Sequence, residues 1–300
     1  MNHTTANLLM LLATFIWGTA FVTQTTGMDY IGPFTFSFSR FFLGALTVLP
    51  LAIILEKKGI VNIFFNKKFI IIALLTGTAL FGGMGLQQYA LLKSQISNAA
   101  FLSTLYVPIV AIISRTFFKA QLSWIVWIAV LLCVYGSYLL TSNQTVEIQR
   151  SDILVFIASF FFALHIILID IFMKRLSIPL SFAFIQYTVV FIISLIVALT
   201  FEQPSWNGIK LEWFEICYTG IMSTAVGYTL QIIAQGKANP APAAVILSME
   251  SVFATLAGWY FLNQTLDNFK IFGCFCIFLG VVMVQLIPIY FNKKSIKKSK

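Results

Sequence analysis

The chain has 300 residues, of which 59% are apolar and only 10% charged, with 31 Phe; an ordinary soluble domain carries roughly a quarter charged residues. That leaves too little polar surface to cover a globule of this mass, so a soluble enzyme, a disordered chain and a collagen-like fibre are excluded and the lipid bilayer is the expected solvent. The net charge of +9 sits in short Lys and Arg clusters between apolar runs, without the interleaved aromatic and basic residues of a nucleic-acid surface, which assigns it to membrane topology and not to a nucleic-acid partner.

Ten apolar runs follow one another, at 7–26, 34–55, 69–91, 97–117, 122–141, 152–173, 180–200, 214–236, 241–262 and 269–291. Each is long enough to cross about 30 Å of hydrocarbon as a helix rising about 1.5 Å per residue. The expected fold is an all-α membrane protein of ten transmembrane helices. The first run lacks a basic leader and a small-x-small cleavage site, so it reads as a true span. Pro33, Pro179 and Pro240 fall near helix starts, where a missing N–H costs nothing, while Gly59, Asn66 and Ser142-Asn143-Gln144 punctuate loops.

Basic residues set the orientation. With the N-terminus inside, the inner loops receive Lys57, Lys58, Lys67, Lys68, Arg115, Lys119, Lys174, Arg175, Lys237 and the tail lysines from Lys293 onward, whereas the outer loops receive Lys93, Arg150, Lys210 and Lys270. The expected topology is N-in and C-in, with residues 293–300 forming a basic cytoplasmic tail that also suits contact with anionic lipid. Trp124, Trp206 and Trp213 read as interfacial anchors. Asn143-Gln144-Thr145 and Asn263-Gln264-Thr265 have the glycosylation spacing in outer loops, a pattern short enough to recur by chance.

The sequence also repeats itself. Ala13 to Phe21 can be laid on Ala158 to Ile166, and Pro33 to Arg40 on Pro179 to Gln186. Farther along, at a constant spacing of 144, Gln87 meets Gln231, Ala99-Ala100 meets Ala243-Ala244, Tyr106 meets Glu250 and Gly136 meets Gly280. The expected domains are a first five-helix repeat over 1–146, a second over 147–292 and the tail. An odd number of spans per half turns the second half upside down, an arrangement that exposes one site alternately to the two sides of a membrane.

An ionised group in hydrocarbon costs at least about 2.5 kcal/mol, so intramembrane ionisable residues mark a cavity or a partner. Glu250, about ten residues into the ninth run, reads as a protonatable or substrate-binding carboxylate, or else as a structural carboxyl. Arg40, about seven residues into the second run, is either a snorkelling anchor, a structural partner or a substrate-carboxylate binder. Its repeat partner Gln186 falls at similar depth from the opposite face. His165 and Asp170 are five residues, or about 140°, apart on one helix and do not converge; Asp170 is expected to pair with Lys174, and His165 to pack through a hydrogen bond or to relay protons. Trp17 reads as lining a pocket with Tyr106 and Tyr89, or as plain packing. Gly77, Gly82, Gly83 and Gly85 in the third run, with Gly220 and Gly227 on one face of the eighth, permit either close helix approach or hinging. Cys133, Cys217, Cys274 and Cys276 lack metal or disulfide spacing. There is no ATP motif, Gly-rich phosphate loop, metal-spaced cluster or Ser–His–Asp set, so no cofactor is expected.

Taken together, Trp17-Gly18, Arg40-Phe41, the stretches from Ala99-Ala100-Phe101-Leu102 to Val107-Pro108, and Leu247-Ser248-Met249-Glu250 make the chain resemble the EamA family of the drug/metabolite transporter superfamily over nearly its whole length. The resemblance implies a basket-like bundle around a central cavity and export of small metabolites, commonly amino acids or related compounds, from a bacterial cytoplasmic membrane. Two positions depart from the family pattern: Ser251 stands where Pro usually follows the glutamate, and Ala120-Gln121 and Asn263-Gln264 stand where Gly-Glu is usual. The site expected to bind substrate or couple it to protons is Glu250, Arg40, Tyr106, Trp17, Gln186, Gln231, Gln87 and His165. A nucleotide-sugar or phosphate-ester exchanger is the nearest alternative and would require several cavity cations; an intramembrane enzyme or a receptor or scaffold is the alternative from another class.

Overall fold

The computed structural model describes residues 1–94, 96–141 and 150–298; Asn143-Gln144-Thr145, Glu147 and the side chains of Arg150 and the basic tail lie outside what it describes. Among the described residues, ten helices are long and apolar enough to cross a membrane: α1 (His3–Thr26), α2 (Pro33–Glu56), α3 (Lys67–Ala90), α4 (Asn98–Thr116), α5 (Trp124–Thr141), α6 (Ser151–Met173), α7 (Pro179–Phe201), α8 (Trp213–Gln235), α9 (Pro240–Leu262) and α10 (Asn268–Gln285). These are the ten predicted runs, with ends displaced by a few residues. The clearest displacement is α1, which starts at His3 because the Asn2 side chain caps it, accepting Thr5 N–H at 2.7 Å. A polar cap recruits a polar first turn that hydropathy alone leaves out.

Local chemistry explains the other ends and the interruptions. Pro33, Pro179 and Pro240 occupy first turns, Asn66 caps α3 through Lys68 N–H and Phe69 N–H, and Asn263 ends α9 in the left-handed conformation at φ 53. Two spans break at mid-length. α4 is interrupted at Leu105, between Ile96–Thr104 and Tyr106–Thr116, where Pro108 has no N–H to offer the Thr104 carbonyl. α9 is interrupted at Ser248, between Pro240–Leu247 and Met249–Leu262, through a tight turn in which Ser251 N–H reaches Ser248 O at 3.1 Å. α8 widens into a π-helix over Tyr218–Tyr228.

The helices pack α2 on α7, α5 on α10, α4 on α9, α3 on both α6 and α7, and α8 on both α1 and α2. α2 and α7 cap one another. Glu202, at the end of α7, accepts Phe34 N–H at 2.9 Å and Thr35 N–H at 2.7 Å; Glu56, at the end of α2, accepts Leu180 N–H at 2.8 Å and Ser181 N–H at 2.7 Å. The end of each helix therefore meets the start of the other, and the two run antiparallel. Each is followed by a one-turn helix, Gly59–Phe64 after α2 and Trp206–Leu211 after α7. α5 and α10 approach at their glycines: a Cβ on Gly136 would lie 2.6 Å from the Gly273 carbonyl oxygen, and one on Gly273 equally close to that of Gly136. Outward faces carry large apolar side chains such as Leu131, Tyr135, Phe272 and Phe275, which lipid solvates without cost. Trp124, Trp206 and Trp213 are exposed.

Candidate functional site: a cavity between two broken helices

The breaks in α4 and α9 flank a small central cavity. Ser103 and Tyr106 line it on either side of the first break, Leu247 and Glu250 on either side of the second; α1 adds Trp17 and Gln24, α3 adds Met84 and Gln87, α6 adds Phe162, His165 and Ile166, and α8 adds Ser223, Tyr228 and Gln231. The free volume is about 40 Å³, enough for roughly three waters. A metabolite the size of an amino acid does not fit until the helices part.

The sequence places most of this wall correctly. Glu250, Tyr106, Trp17, Gln87, Gln231 and His165 are all lining residues. Glu250 makes no hydrogen bond or ion pair within the described residues, and the Tyr106 hydroxyl and Gln231 Oε1 are buried without a partner. Gln87 Nε2–H is held by Ser103 Oγ at 3.0 Å. The unpartnered groups are two acceptors and a hydroxyl, a set that suits a ligand rich in N–H donors.

Two predicted site residues stand behind the wall instead. Arg40 is 1% exposed, so it cannot snorkel; its Nη1–H donates to Gln24 Oε1 at 3.0 Å, and its guanidinium lies 5.0 Å from the Phe41 ring centroid. No ion pair joins it to Glu250 among the described residues. Gln186 is likewise buried, its Oε1 2.8 Å from His165 Nε2, a geometry in which the imidazole N–H donates. Each backing residue thus holds one lining residue of the preceding helix: Arg40 holds Gln24, and Gln186 holds His165. Tyr89 is a correction, since it is half exposed and stacks on Phe34 rather than facing the cavity.

The glycines of α8 correct a second expectation. Gly220 and Gly227 do not share a face: Gly220 meets Arg40 O and Leu43 of α2, whereas Gly227 meets Trp17 of α1. The seven-residue rule holds for 3.6 residues per turn and fails in the wider π segment between them. There Trp17 Nε1–H donates to Ser223 O at 3.1 Å, and a Cβ on Gly227 would sit 2.6 Å from that nitrogen. Gly83 of α3 has the matching relation to Phe162 of α6, its would-be Cβ 2.6 Å from Phe162 Cε1. These glycines allow close approach.

Sequence reasoning missed Gln24, Met84, Ser103, Phe162, Ser223 and Tyr228. Tyr228 packs on Trp17 at a 45° tilt with 4.6 Å between ring centroids, faces His165 edge-on, and donates its hydroxyl to Met84 Sδ at 2.8 Å. The repeat spacing of 144 carries Met84 onto Tyr228 and Ser103 onto Leu247, a signal that was available for both. Asp170 stays apart from His165 and pairs with Lys174 at 2.8 Å.

Ten apolar helices around a polar cavity with two interrupted spans define an integral membrane protein of the transporter class. The EamA-like transporter family matches the chain twice, over residues 4–142 and 149–286, and the chain belongs to that family and so to the drug/metabolite transporter superfamily. It is 32% identical to an uncharacterized transporter of Archaeoglobus fulgidus over 94% of this chain and 86% of the relative. It is 22% identical to the uncharacterized transporter YoaV of Bacillus subtilis over 90% and 93% of the two chains. A solved crystal structure with 16% identity superimposes at a TM-score of 0.78, covering 95% of this chain and 98% of that one, a likeness of fold.

Proposed function

We propose that the protein carries a small organic metabolite, an amino acid or a related amine-bearing compound, out of a bacterial cell across its cytoplasmic membrane by alternating access around the central cavity. The observation that carries this reading is the pairing of the cavity wall. Trp17 and Phe162, Met84 and Tyr228, Gln87 and Gln231, Ser103 and Leu247, and Tyr106 and Glu250 are equivalent positions of the two halves, and all ten line the cavity. A site placed on the symmetry element of two inverted five-helix repeats, 1–146 and 147–292, is seen equally by both halves and can be opened to either side by the same motion. The antiparallel α2 and α7 with their reciprocal carboxylate caps, the equivalent breaks in α4 and α9, and the twofold family match support the inversion.

With the N-terminus inside, the clusters of Lys and Arg fall in the cytoplasm. Glu250 is the acceptor for a substrate ammonium and exchanges it with a proton, while Tyr106, Gln87 and Gln231 supply neutral hydrogen bonds. Among the described lining residues none is Lys or Arg, and Arg40 is engaged with Gln24 behind the wall, so phosphate esters lack the cations they require. Among the described lining residues no hydrogen bond joins a nucleophile to a base, so nothing in the wall favours an enzyme. The test is counterflow in proteoliposomes with a panel of amino acids, nucleosides and polyamines. Saturable exchange of an amine-bearing solute, lost in Glu250→Ala, is the expected outcome; exchange of phosphate esters alone, or none with any solute, overturns the proposal.

A further inference from the structure

The chain has two histidines, His3 in the first turn of α1 and His165 within α6. His165 lines the central cavity, while its Nε2 reaches back to Gln186 Oε1, behind the wall, at 2.8 Å. A neutral imidazole carries one N–H and one lone pair, and the hydrogen bonds of the two nitrogens decide which of them keeps the proton. Gln186 leaves little choice. Its own Nε2–H donates to Phe182 O at 3.4 Å, one turn back on α7, which turns Oε1 toward the imidazole. The flipped amide would set Oε1 against a carbonyl oxygen, two acceptors in contact in a dry interior. The proton of His165 therefore sits on Nε2 and the lone pair on Nδ1.

Across the ring from that bond, Nδ1 makes no hydrogen bond among the described residues and is not shut in as the Tyr106 hydroxyl and Gln231 Oε1 are. The volume it meets is the one that His165 lines. Arg40, at the position equivalent to Gln186, leaves a different result. It holds Gln24 Oε1, and Gln24 Nε2–H goes to Ala20 O at 3.2 Å, so both ends of that amide are engaged. Of the two lining side chains held from behind, His165 keeps an acceptor atom without a partner and Gln24 does not. A bare ring nitrogen accepts an N–H and repels an oxyanion or a carbonyl. Because Glu250 of α9 lines the same volume, the cavity offers one ligand a carboxylate and a neutral acceptor. A primary ammonium has several N–H groups and can use both, whereas a trimethylammonium has none.

We propose that Gln186 is a positioning residue for substrate selection: by accepting Nε2–H it keeps His165 Nδ1 bare, and Nδ1 takes an N–H of a primary ammonium in the central cavity. The selection rests on the amine reading of that cavity; the tautomer does not, because it is set without ligand.

The test uses the full chain labelled with 15N-histidine and carrying His3→Gln, which leaves one imidazole, in phosphatidylcholine nanodiscs. Without ligand, 15N–1H spectra should show Nε2 protonated and Nδ1 bare; a proton on Nδ1, alone or together with Nε2, overturns the proposal. Gln186→Leu should give a mixture of the two tautomers, and Gln186→Glu, which keeps the acceptor oxygen, should keep Nε2 protonated. An unchanged single tautomer in Gln186→Leu overturns the positioning role, since a merely structural Gln186 would leave it so. If Gln186→Leu does not fold, Gln186→Glu decides: its stronger acceptor should move the Nε2–H proton downfield, and an unmoved proton overturns the role. Propylammonium should shift Nδ1 saturably, while propyltrimethylammonium, of equal charge and without N–H, should leave it in place. Gln186→Leu should weaken the propylammonium titration about fivefold, as loss of one hydrogen bond does. Nδ1 unmoved by propylammonium, or moved equally by both cations, overturns its part in selection. The two readings fail differently: amine counterflow with Nδ1 unmoved overturns this role alone, whereas a bare, amine-sensitive Nδ1 with no counterflow overturns the transport reading alone.

Discussion

The two most polar side chains of the spans have different tasks. Glu250 faces the cavity without a hydrogen-bonding partner, while Arg40 stands behind the wall, donating Nη1–H to Gln24 and keeping Nε and Nη2 buried without a partner. Glu250→Gln removes the exchangeable charge but keeps the shape, so under proton coupling it should abolish accumulation driven by a pH gradient while leaving exchange of preloaded solute measurable in proteoliposomes. Normal accumulation by that variant would make the carboxylate structural. Arg40 should act through Gln24. Arg40→Met and Gln24→Ala each strand a buried polar group at a cost of about 1–3 kcal/mol, and the double variant should lose less stability than the two losses together. Arg40→Met with Glu250→Gln should instead be additive, since no bond joins them; thermal unfolding of the purified variants measures both cycles, and strong coupling in the second would mean that the two charges meet after all.

Helix pairs show what the sequence disclosed and what it withheld. Span positions were legible because a bilayer demands about twenty apolar residues whatever their neighbours. The carboxylates at the helix ends were not: Glu202 reads as a loop charge until α7 is placed beside α2, and the partner of a cap is set by tertiary packing. Equivalence between halves disclosed Gln87 with Gln231 and Tyr106 with Glu250, whereas Gln24 has no polar equivalent and only the rotation of α1 brings it to the cavity. Reciprocal capping has an energetic consequence. Glu56→Ala and Glu202→Ala each leave two helix N–H groups without their acceptor and should each cost about 1–2 kcal/mol in thermal unfolding; because the caps lie at opposite ends of the α2–α7 pair, the losses should add. Gly227→Ala forces a methyl against Trp17 and should cost about 1–3 kcal/mol, with a shift in tryptophan emission as the indole loses its bond to Ser223. A variant that kept both stability and emission would show that α1 and α8 are not locked at this point.

At the scale of the whole molecule, a central cavity of about 40 Å³ means that helices must separate before anything larger than a few waters enters, and an inverted pair of halves offers two symmetry-related ways to separate them. That argument depends on the halves entering the membrane with opposite orientation. Lys58, beside the one-turn helix after α2, and Asn207, within the one-turn helix after α7, occupy equivalent connections and are both exposed. In a parallel duplication they would share a face; in an inverted one they cannot. With Cys133, Cys217, Cys274 and Cys276 replaced, Asn207→Cys should react with an impermeant maleimide on intact cells, and Lys58→Cys should react only after permeabilisation, as the clustering of basic residues near Lys58 requires. The reverse pattern would keep the inversion but turn the protein over. Labelling of both sites from outside would remove the inversion itself, and alternating access through the paired wall would lose its geometric basis.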